Sequence, residues 1–429
     1  MDRFVINGGI PLSGEMIPQG NKNAALPLMS ATLLSDEPVI LHNMPDIRDV
    51  HTMRQLLQSL GVSIRQIGNS NSWEFHAKNI RPADLDPELC RKIRASILLA
   101  GPMTARYGAL ELPPPGGDVI GRRRVDTHVL ALEKLGATFE FDQGTFKFSA
   151  KGLKGADILL DEASVTATEN AIMAAALSKG LTTIRNAASE PHIQELCHML
   201  NALGAQIENI GSNTLLINGV ERLHGGEFTI GPDYLEVISF VGAAVVTRGS
   251  IRIKKAGIDH LSMIRLVLKR LGVDIEYDGP DLIVDSNQRL VIEPDLGNAI
   301  PEISVMPWPS FPTDLMSIAI VIATQSKGAV LFHDWMYPSR MFFIDKLVSM
   351  GAQIVLCDPH RCIVNGPTPL TGETLDSPDI RAGTALVLAA LSAEGSSTIR
   401  NVAQIDRGYS RIEDKLRALG ADIQRISGD

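Results

Sequence analysis

The sequence predicts an α/β protein of two domains, each made of three copies of one supersecondary unit of about 72 residues, six units in all. Two recurring phrases and the chain length carry that expectation. The first phrase is a bulky apolar residue, a glycine, Ala or Val, a variable residue, then Ile or Phe. It occurs as Leu60-Gly61-Val62-Ser63-Ile64, Leu135-Gly136-Ala137-Thr138-Phe139, Leu203-Gly204-Ala205-Gln206-Ile207, Leu271-Gly272-Val273-Asp274-Ile275, Met350-Gly351-Ala352-Gln353-Ile354 and Leu419-Gly420-Ala421-Asp422-Ile423. Successive glycines lie 75, 68, 68, 79 and 69 residues apart. The second phrase, found in four units, passes from a helix through a glycine into an apolar strand. Ser178-Lys179-Gly180 precedes Leu181-Thr182-Thr183-Ile184, Ala393-Glu394-Gly395 precedes Ser396-Ser397-Thr398-Ile399, and Arg248-Gly249 and Lys327-Gly328 hold matching places. A chain of 429 residues exceeds one usual domain.

Each element of the unit has a local reason. The stretch before the phrase is amphipathic: Ile412, Leu416 and Leu419 recur at helical spacing with charges between them. The glycine then stops the helix in the left-handed conformation, where a side chain would clash. The residues after it alternate apolar and polar, as in a half-buried strand. Each unit should therefore hold two helices and about four short strands. Turn-rich residues at Pro18-Gln19-Gly20-Asn21 and from Glu221 to Pro232 mark two hinges. The expected domains are residues 22–228, with a mobile lid loop at about 113–124, and residues 1–21 joined to 229–429. A two-lobed protein with an interdomain cleft follows, and such a cleft is a common ligand site.

Composition narrows the function. A net charge of −9 argues against a nucleic-acid partner, and no aromatic residues interleave with Arg122-Arg123-Arg124. The apolar run Ile318-Ala319-Ile320-Val321-Ile322-Ala323 is too short to span a bilayer, so no membrane partner is expected. The opening Met1-Asp2-Arg3-Phe4-Val5 reads as a strand and not as a signal peptide. Cys90, Cys197, Cys357 and Cys362 form no disulfide framework, which points to a reducing cytoplasm. Cys357-Asp358-Pro359-His360-Arg361-Cys362 reads as a hairpin turn, because no second ligand pair sits at zinc spacing.

Seven segments are candidates for chemistry, and each has a plainer reading. Lys22 and Asn23 open a helix and suit an anion and a substrate hydrogen bond, or a capped helix with a solvated lysine. Arg94 lies early in an apolar helix expected from Ile93 to Gly101, and suits a phosphate or carboxylate, or the surface. Pro113-Pro114-Pro115-Gly116-Gly117-Asp118-Val119-Ile120-Gly121-Arg122-Arg123-Arg124-Val125-Asp126 has the makings of a lid over an anion, or is a solvated basic turn. Ser164 to Asn170 opens a helix expected to run to Lys179; Thr166 and Glu169 fit a capping box, and the free N–H groups suit a diphosphate. Asp314 in Phe311-Pro312-Thr313-Asp314 is a helix cap or a general base. Asp379-Ile380-Arg381 and Asp406-Arg407-Gly408-Tyr409 each set an acid beside an arginine, as a site or as a structural ion pair.

Taken together, these motifs resemble the enolpyruvyl transferases, most closely the branch that acts on UDP-N-acetylglucosamine in the first committed step of peptidoglycan synthesis. The likeness runs from Met1 to about Arg425. It rests on Lys22-Asn23-Ala24-Ala25-Leu26-Pro27, Arg94-Ala95-Ser96, Gly116-Gly117 with Ile120-Gly121, Val125-Asp126-Thr127-His128, Phe311-Pro312-Thr313-Asp314 and Asp406-Arg407-Gly408-Tyr409-Ser410-Arg411-Ile412-Glu413-Asp414-Lys415-Leu416. The resemblance implies two inside-out α/β domains of three units each. It implies transfer of the enolpyruvyl group of phosphoenolpyruvate to a sugar 3-hydroxyl through a tetrahedral addition intermediate. Its motifs give Lys22, Arg123 and Arg407 to the phosphoenolpyruvate, with Arg94 and Arg381 completing the positive cluster. They give Asn23 and Asp314 to the sugar hydroxyl, with Asp314 as base, and Val125, Asp126, Ser164, Val165 and Met336 to the nucleotide sugar. Asp49 resembles a supporting acid. The partners implied are phosphoenolpyruvate and a UDP-sugar. No cofactor or metal is implied, since the cations neutralise phosphate and carboxylate.

The chain also departs from that family. Asp118 stands on the lid where most members have a cysteine, the thiol alkylated by the epoxide fosfomycin, so resistance to that drug is expected. As the acid that protonates the methylene carbon, an unperturbed aspartate sits about three units below neutrality, a mismatch of roughly 4 kcal/mol. Glu162, Thr166, Arg124, Tyr234 and Pro338-Ser339-Arg340 alter the wall that would face the nucleotide sugar. Two alternatives therefore stand beside the main reading: the same transfer to another nucleotide acceptor, and a non-catalytic binding relative. Retention of Lys22, Arg94, Arg123, Asp314, Arg381 and Arg407 together weighs against the second.

Overall fold

A helix with no polar face must be covered by protein on every side. Tyr234–Val246, Met316–Thr324 and Ile380–Ser392 have that composition. In the computed structural model of the chain, which describes residues 2–81, 85–117, 120–121 and 123–428, they are buried helices packed on one another. Gly242 lets them approach: a Cβ there would lie 2.8 Å from Leu388 Cδ2 and 2.9 Å from Ile318 Cγ2. In an interior packed to crystal density, such a group would drive the helices apart.

Among the described residues the chain forms two compact units. One comprises residues 2–19, 120–121 and 232–428; the other comprises residues 20–81, 85–117 and 123–231. Each has its own hydrophobic core. In the second unit the buried helices are Lys22–Ala31, Ala100–Tyr107 with the 3-10 turn Arg94–Leu99 before it, and Val165–Ala176.

The described residues form six sheets, three in each unit. Five share one plan, in which an edge strand runs parallel to its neighbour and two further strands follow antiparallel. An example is Glu302–Ser304, Gly328–His333, Arg361–Gly366 and Ile354–Asp358. The sixth has three strands, Ala109–Leu112, Thr145–Ser149 and Thr138–Asp142. The chain's first strand, Arg3–Asn7, lies between Ser396–Arg400 and Asp422–Ile426, so the last repeat is completed by the start of the chain.

The repeated glycines do what the phrase predicts. Gly61, Gly136, Gly204, Gly272, Gly351 and Gly420 all have positive φ, between 78° and 105°. In the second phrase Gly180, Gly328 and Gly395 follow suit, but in the fourth copy Arg248 takes the left-handed turn at φ 54°. Gly249 is needed there for space, since a Cβ would lie 2.3 Å from the Leu12 carbonyl oxygen. Residues Ile354–Asp358 and Arg361–Gly366 pair as the expected hairpin.

Three local expectations are corrected. The segment from Ile93 does not end at Gly101. It passes from a 3-10 turn into a helix that stops at left-handed Gly108, and Gly101 serves close packing, its Cβ position lying 2.6 Å from the Asn170 carbonyl. The helix after Ser164 ends at Ala176, not Lys179. Thr166 and Glu169 form no capping box: Ser164 is the cap and Glu169 is buried in the helix interior. Among the described residues no helix is long and apolar enough to cross a membrane.

Candidate active site

In the unit of residues 20–231, Asn21 caps the helix Lys22–Ala31, its side-chain oxygen accepting from the amides of Asn23 (2.8 Å) and Ala24 (3.3 Å). The cap fixes the first turn, and Lys22 is thereby held buried with its ammonium 2.7 Å from Asp49. A buried cation needs such a partner. Asp49 therefore keeps the Lys22 charge at a fixed point.

Arg94 braces both feet of the glycine-rich loop. Its guanidinium donates to the carbonyls of Arg123 (3.1 Å) and Arg124 (2.7 Å) on one side. On the other, Gly116 N donates to the Cys90 carbonyl at 3.0 Å, and Gly117, at φ 107°, passes so close that a Cβ would sit 2.9 Å from Arg94 Cβ. The same position lies 3.2 Å from a guanidinium nitrogen of Arg123. Asp118, expected on this loop as proton donor, lies outside the described residues.

Beyond the loop, Arg124 pairs with Asp126 (3.1 Å) and Asp161 (3.2 Å), all three exposed. Val125 and Asp126 border a groove of about 640 Å³ lined also by Val129, Leu130, Phe139 and Phe146. Ser164 caps the next helix, placing Val165 in its first turn, and Thr166 meets His128. Asn170 donates to His128 Nδ1 at 2.8 Å, so Nε2 carries the proton and donates to the Thr166 hydroxyl at 3.1 Å. Asn170 also bonds Ile97 O and Gly101 N, joining three helices.

Burial, with the Arg94 charge added, lowers the His128 pKa from its ordinary 6.5 to about 3. The folded state thus refuses a proton that the unfolded chain accepts below about pH 6.5. Stability from this group is complete above that pH and is lost as pH falls, until the folded value is reached. In urea titrations the wild type should lose about 2 kcal/mol more between pH 7 and 5 than His128→Gln does, following about 1.4 kcal/mol per pK unit. Equal losses in both proteins would contradict a neutral, buried His128.

In the other unit Asp314 lies in the 3-10 turn Thr313–Leu315 and caps no helix. Its Oδ1 pairs with Arg340, and its Oδ2 accepts from Arg381 Nε at 3.2 Å and Nη2 at 3.1 Å. Asp379 caps the helix Ile380–Ser392 by accepting from the amides of Arg381 (2.8 Å) and Ala382 (3.0 Å). Burial pulls the guanidinium pKa values of Arg340 and Arg381 down, but Asp314 and Asp379 together at Arg340, and Asp314 with Tyr409 and Asp233 at Arg381, raise them above the ordinary value. Arg381 Nη1 also donates to the Tyr409 hydroxyl at 3.4 Å.

Buried Asp334 joins two parts of this unit. It accepts from the Thr313 hydroxyl at 2.5 Å and from the amides of Met336 (3.1 Å) and Tyr337 (3.2 Å), so one carboxylate fixes both the Asp314 turn and Met336. Arg407 ends the helical turn Val402–Arg407 and donates to Gln404 at 3.2 Å; Asp406 pairs with Arg425. Sequence reasoning named neither Arg340 nor Asp334 as a site residue. Arg340 was visible only as part of an altered tripeptide, and Asp334 follows a strand without any motif.

The structure thus gathers Asp314, Arg340, Arg381 and Asp379 in one unit, and Lys22 with Asp49 and Arg94 with the loop feet in the other. Among the described residues no group of three or more His, Cys, Asp or Glu side chains is placed to hold a metal. A model of the EPSP synthase (3-phosphoshikimate 1-carboxyvinyltransferase) family matches residues 6–416. The chain belongs to the EPSP synthase family. This EPSP synthase family member is 55% identical to the UDP-N-acetylglucosamine 1-carboxyvinyltransferase of Bradyrhizobium diazoefficiens, over 99% of this chain and 98% of the relative. It is 52% identical to the protein of that name from Treponema denticola, over 99% of each. Among solved structures it resembles the enolpyruvyl transferase NikO from Streptomyces tendae, with TM-score 0.88 and 25% identity over 100% and 99% of the two chains. An EPSP synthase from Acinetobacter baumannii matches at TM-score 0.77 and 17% identity over 100% of each, a likeness of fold.

Proposed function

We propose that this chain moves the enolpyruvyl group from phosphoenolpyruvate to the 3-hydroxyl of UDP-N-acetylglucosamine and releases inorganic phosphate. One observation carries the reading: relatives of that name are 49–55% identical along 99% of the chain. A cytoplasmic place and a role in peptidoglycan synthesis go with it.

The residues then take the following roles. Lys22, Arg94, Arg123, Arg381 and Arg407 neutralise the phosphate and carboxylate of the donor, as preorganised cations do best in a water-poor site. Val125, Asp126, Ser164, Val165 and Met336 hold the nucleotide sugar, and Asn23 hydrogen-bonds its hydroxyl. In the addition step Asp314 takes the hydroxyl proton while the sugar oxygen bonds to C2 of the donor. The electron pair of the double bond takes a proton at the C3 methylene from Asp118. In the elimination step the bond from C2 to the phosphate oxygen breaks and phosphate leaves with its electron pair, while the Asp118 carboxylate takes back a methyl proton and the C–H pair restores the double bond.

Phosphate release from phosphoenolpyruvate should depend on UDP-N-acetylglucosamine and yield one phosphate per enolpyruvyl ether. A second reading, transfer to another nucleotide acceptor, is favoured by the Arg124–Asp126–Asp161 arrangement beside the groove. Turnover with a different nucleotide and none with UDP-N-acetylglucosamine would select it. No turnover with any acceptor would refute both.

A further inference from the structure

We infer that Gln19 is a positioning residue that holds the turn carrying Arg407, and so sets the affinity for the phosphorylated three-carbon donor. The inference rests on the function proposed above, in which Arg407 binds that donor.

Gln19 is the last residue of its unit before the chain leaves it, and every polar group it owns is used within that unit. Its amide N–H donates to Glu236 at 2.7 Å, and its carbonyl accepts from Asp233 N at 2.8 Å. Its side-chain Nε2 donates to the Gly408 carbonyl at 2.8 Å, while Oε1 accepts from Ser410 N at 3.1 Å. One side chain therefore grips the main chain on both sides of Tyr409, immediately after Arg407.

The turn depends on outside partners for that grip. The helical turn Val402–Arg407 ends at Gly408, whose Cβ position would lie 2.7 Å from Ile380 Cγ2, so close packing demands glycine there. The next helix begins only at Ile412, after left-handed Arg411. The Gly408 carbonyl and Ser410 amide thus fall between two helices and take their bonds from Gln19. The anchor behind Gln19 is firm: Glu236 is buried, and its other oxygen accepts from Lys415 at 2.6 Å. Lys415 belongs to the helix Ile412–Ala418 that follows the turn. The main-chain bonds of Gln19 and the Glu236–Lys415 pair would survive loss of the side-chain amide, so its removal loosens the turn and not the unit.

Only a side chain of this length that both donates and accepts can make the two bonds. Gln19→Met keeps the length and removes both. A cation displaced by a fraction of an ångström loses part of its attraction to a bound anion, and donor affinity should fall more than turnover. With saturating UDP-N-acetylglucosamine, Gln19→Met should raise KM for phosphoenolpyruvate about tenfold and leave kcat and the acceptor KM within about twofold. In an Arg407→Lys background the same change should add less than about twofold, because residues acting as one unit are not additive. Circular dichroism melting should show a Tm within a few degrees of wild type.

An unchanged donor KM, a full tenfold effect in the Arg407→Lys background, or a fall in Tm with unchanged KM would each overturn the inference. Wild-type turnover judges the proposed function separately. Should the wild type bind phosphoenolpyruvate by calorimetry without turning it over, that function fails while Gln19→Met must still weaken binding about tenfold. If the wild type neither binds nor turns over the donor, both fall.

Discussion

Asp314→Asn should reduce kcat for phosphate release by about a thousandfold, within the range of 10² to 10⁴ that a positioned general base contributes. The asparagine keeps the shape of the side chain but cannot take the hydroxyl proton. The geometry sharpens the expectation. Arg381 reaches Oδ2 through two nitrogens and Arg340 reaches Oδ1, so the carboxylate is fixed in direction before any substrate arrives. Removing its charge leaves two nearly buried guanidinium groups short of a counter-ion, Asp379 remaining 4.0 Å from Arg340. A stability loss of about 1–3 kcal/mol should accompany the change, as for a buried charge-assisted hydrogen bond left half made. The two effects separate experimentally. Urea unfolding gives the stability term, and single-turnover phosphate release well below Tm gives the chemical one. If turnover of Asp314→Asn stays within tenfold of wild type, Asp314 is not the base and serves only to hold Arg340 and Arg381.

The repeat was legible because its punctuation is a backbone necessity. A helix that ends in the left-handed region needs glycine, and six such ends leave six glycines in register. The exception at Arg248 shows the limit of that signal, because Gly249 answers to the Leu12 carbonyl and not to its own φ. The buried helices were legible as apolar runs, but their arrangement was not, since it depends on which side chains meet at Gly242 and Gly101. At the site, Lys22, Arg94 and Asp314 announce themselves through motifs at helix starts. Asp334 does not: its carboxylate accepts from residues 313, 336 and 337, and only folding brings the first to the others. Gln19 looked like a hinge residue for the same reason, since Gly408 and Ser410 are nearly four hundred residues away. Glu169 fits the Thr-x-x-Glu spacing of a capping box, but the cap is Ser164, two residues before Thr166, which sets Glu169 inside the helix.

Fosfomycin should leave the wild type active, whereas Asp118→Cys should be inactivated with time, at a rate at least about a hundredfold greater, because a thiolate attacks an epoxide far faster than a carboxylate does. The other thiols give the drug little purchase. Burial pushes the pKa of Cys90 up to about 11 and those of Cys197 and Cys362 to about 12, so none is a thiolate at neutral pH. Cys357 is exposed, but it sits on the strand Ile354–Asp358 and takes no part in the proposed chemistry. The introduced thiol would stand four to six residues before Arg122-Arg123-Arg124, and a cation near a thiol favours the thiolate. Cations near position 118 would equally work against Asp118 as an acid, because they favour the carboxylate. Proton donation by Asp118 then requires the bound donor's own negative charge to raise the carboxyl pKa in the substrate complex. Exchanging carboxyl for thiol moves the ordinary pKa from about 3.9 to about 8.5, so the alkaline limb of the kcat profile should shift in Asp118→Cys. Mass spectrometry should find one drug adduct, on the introduced thiol. Rapid inactivation of the wild type would deny the first expectation, and an alkaline limb unmoved by the substitution would remove Asp118 from the proton transfer.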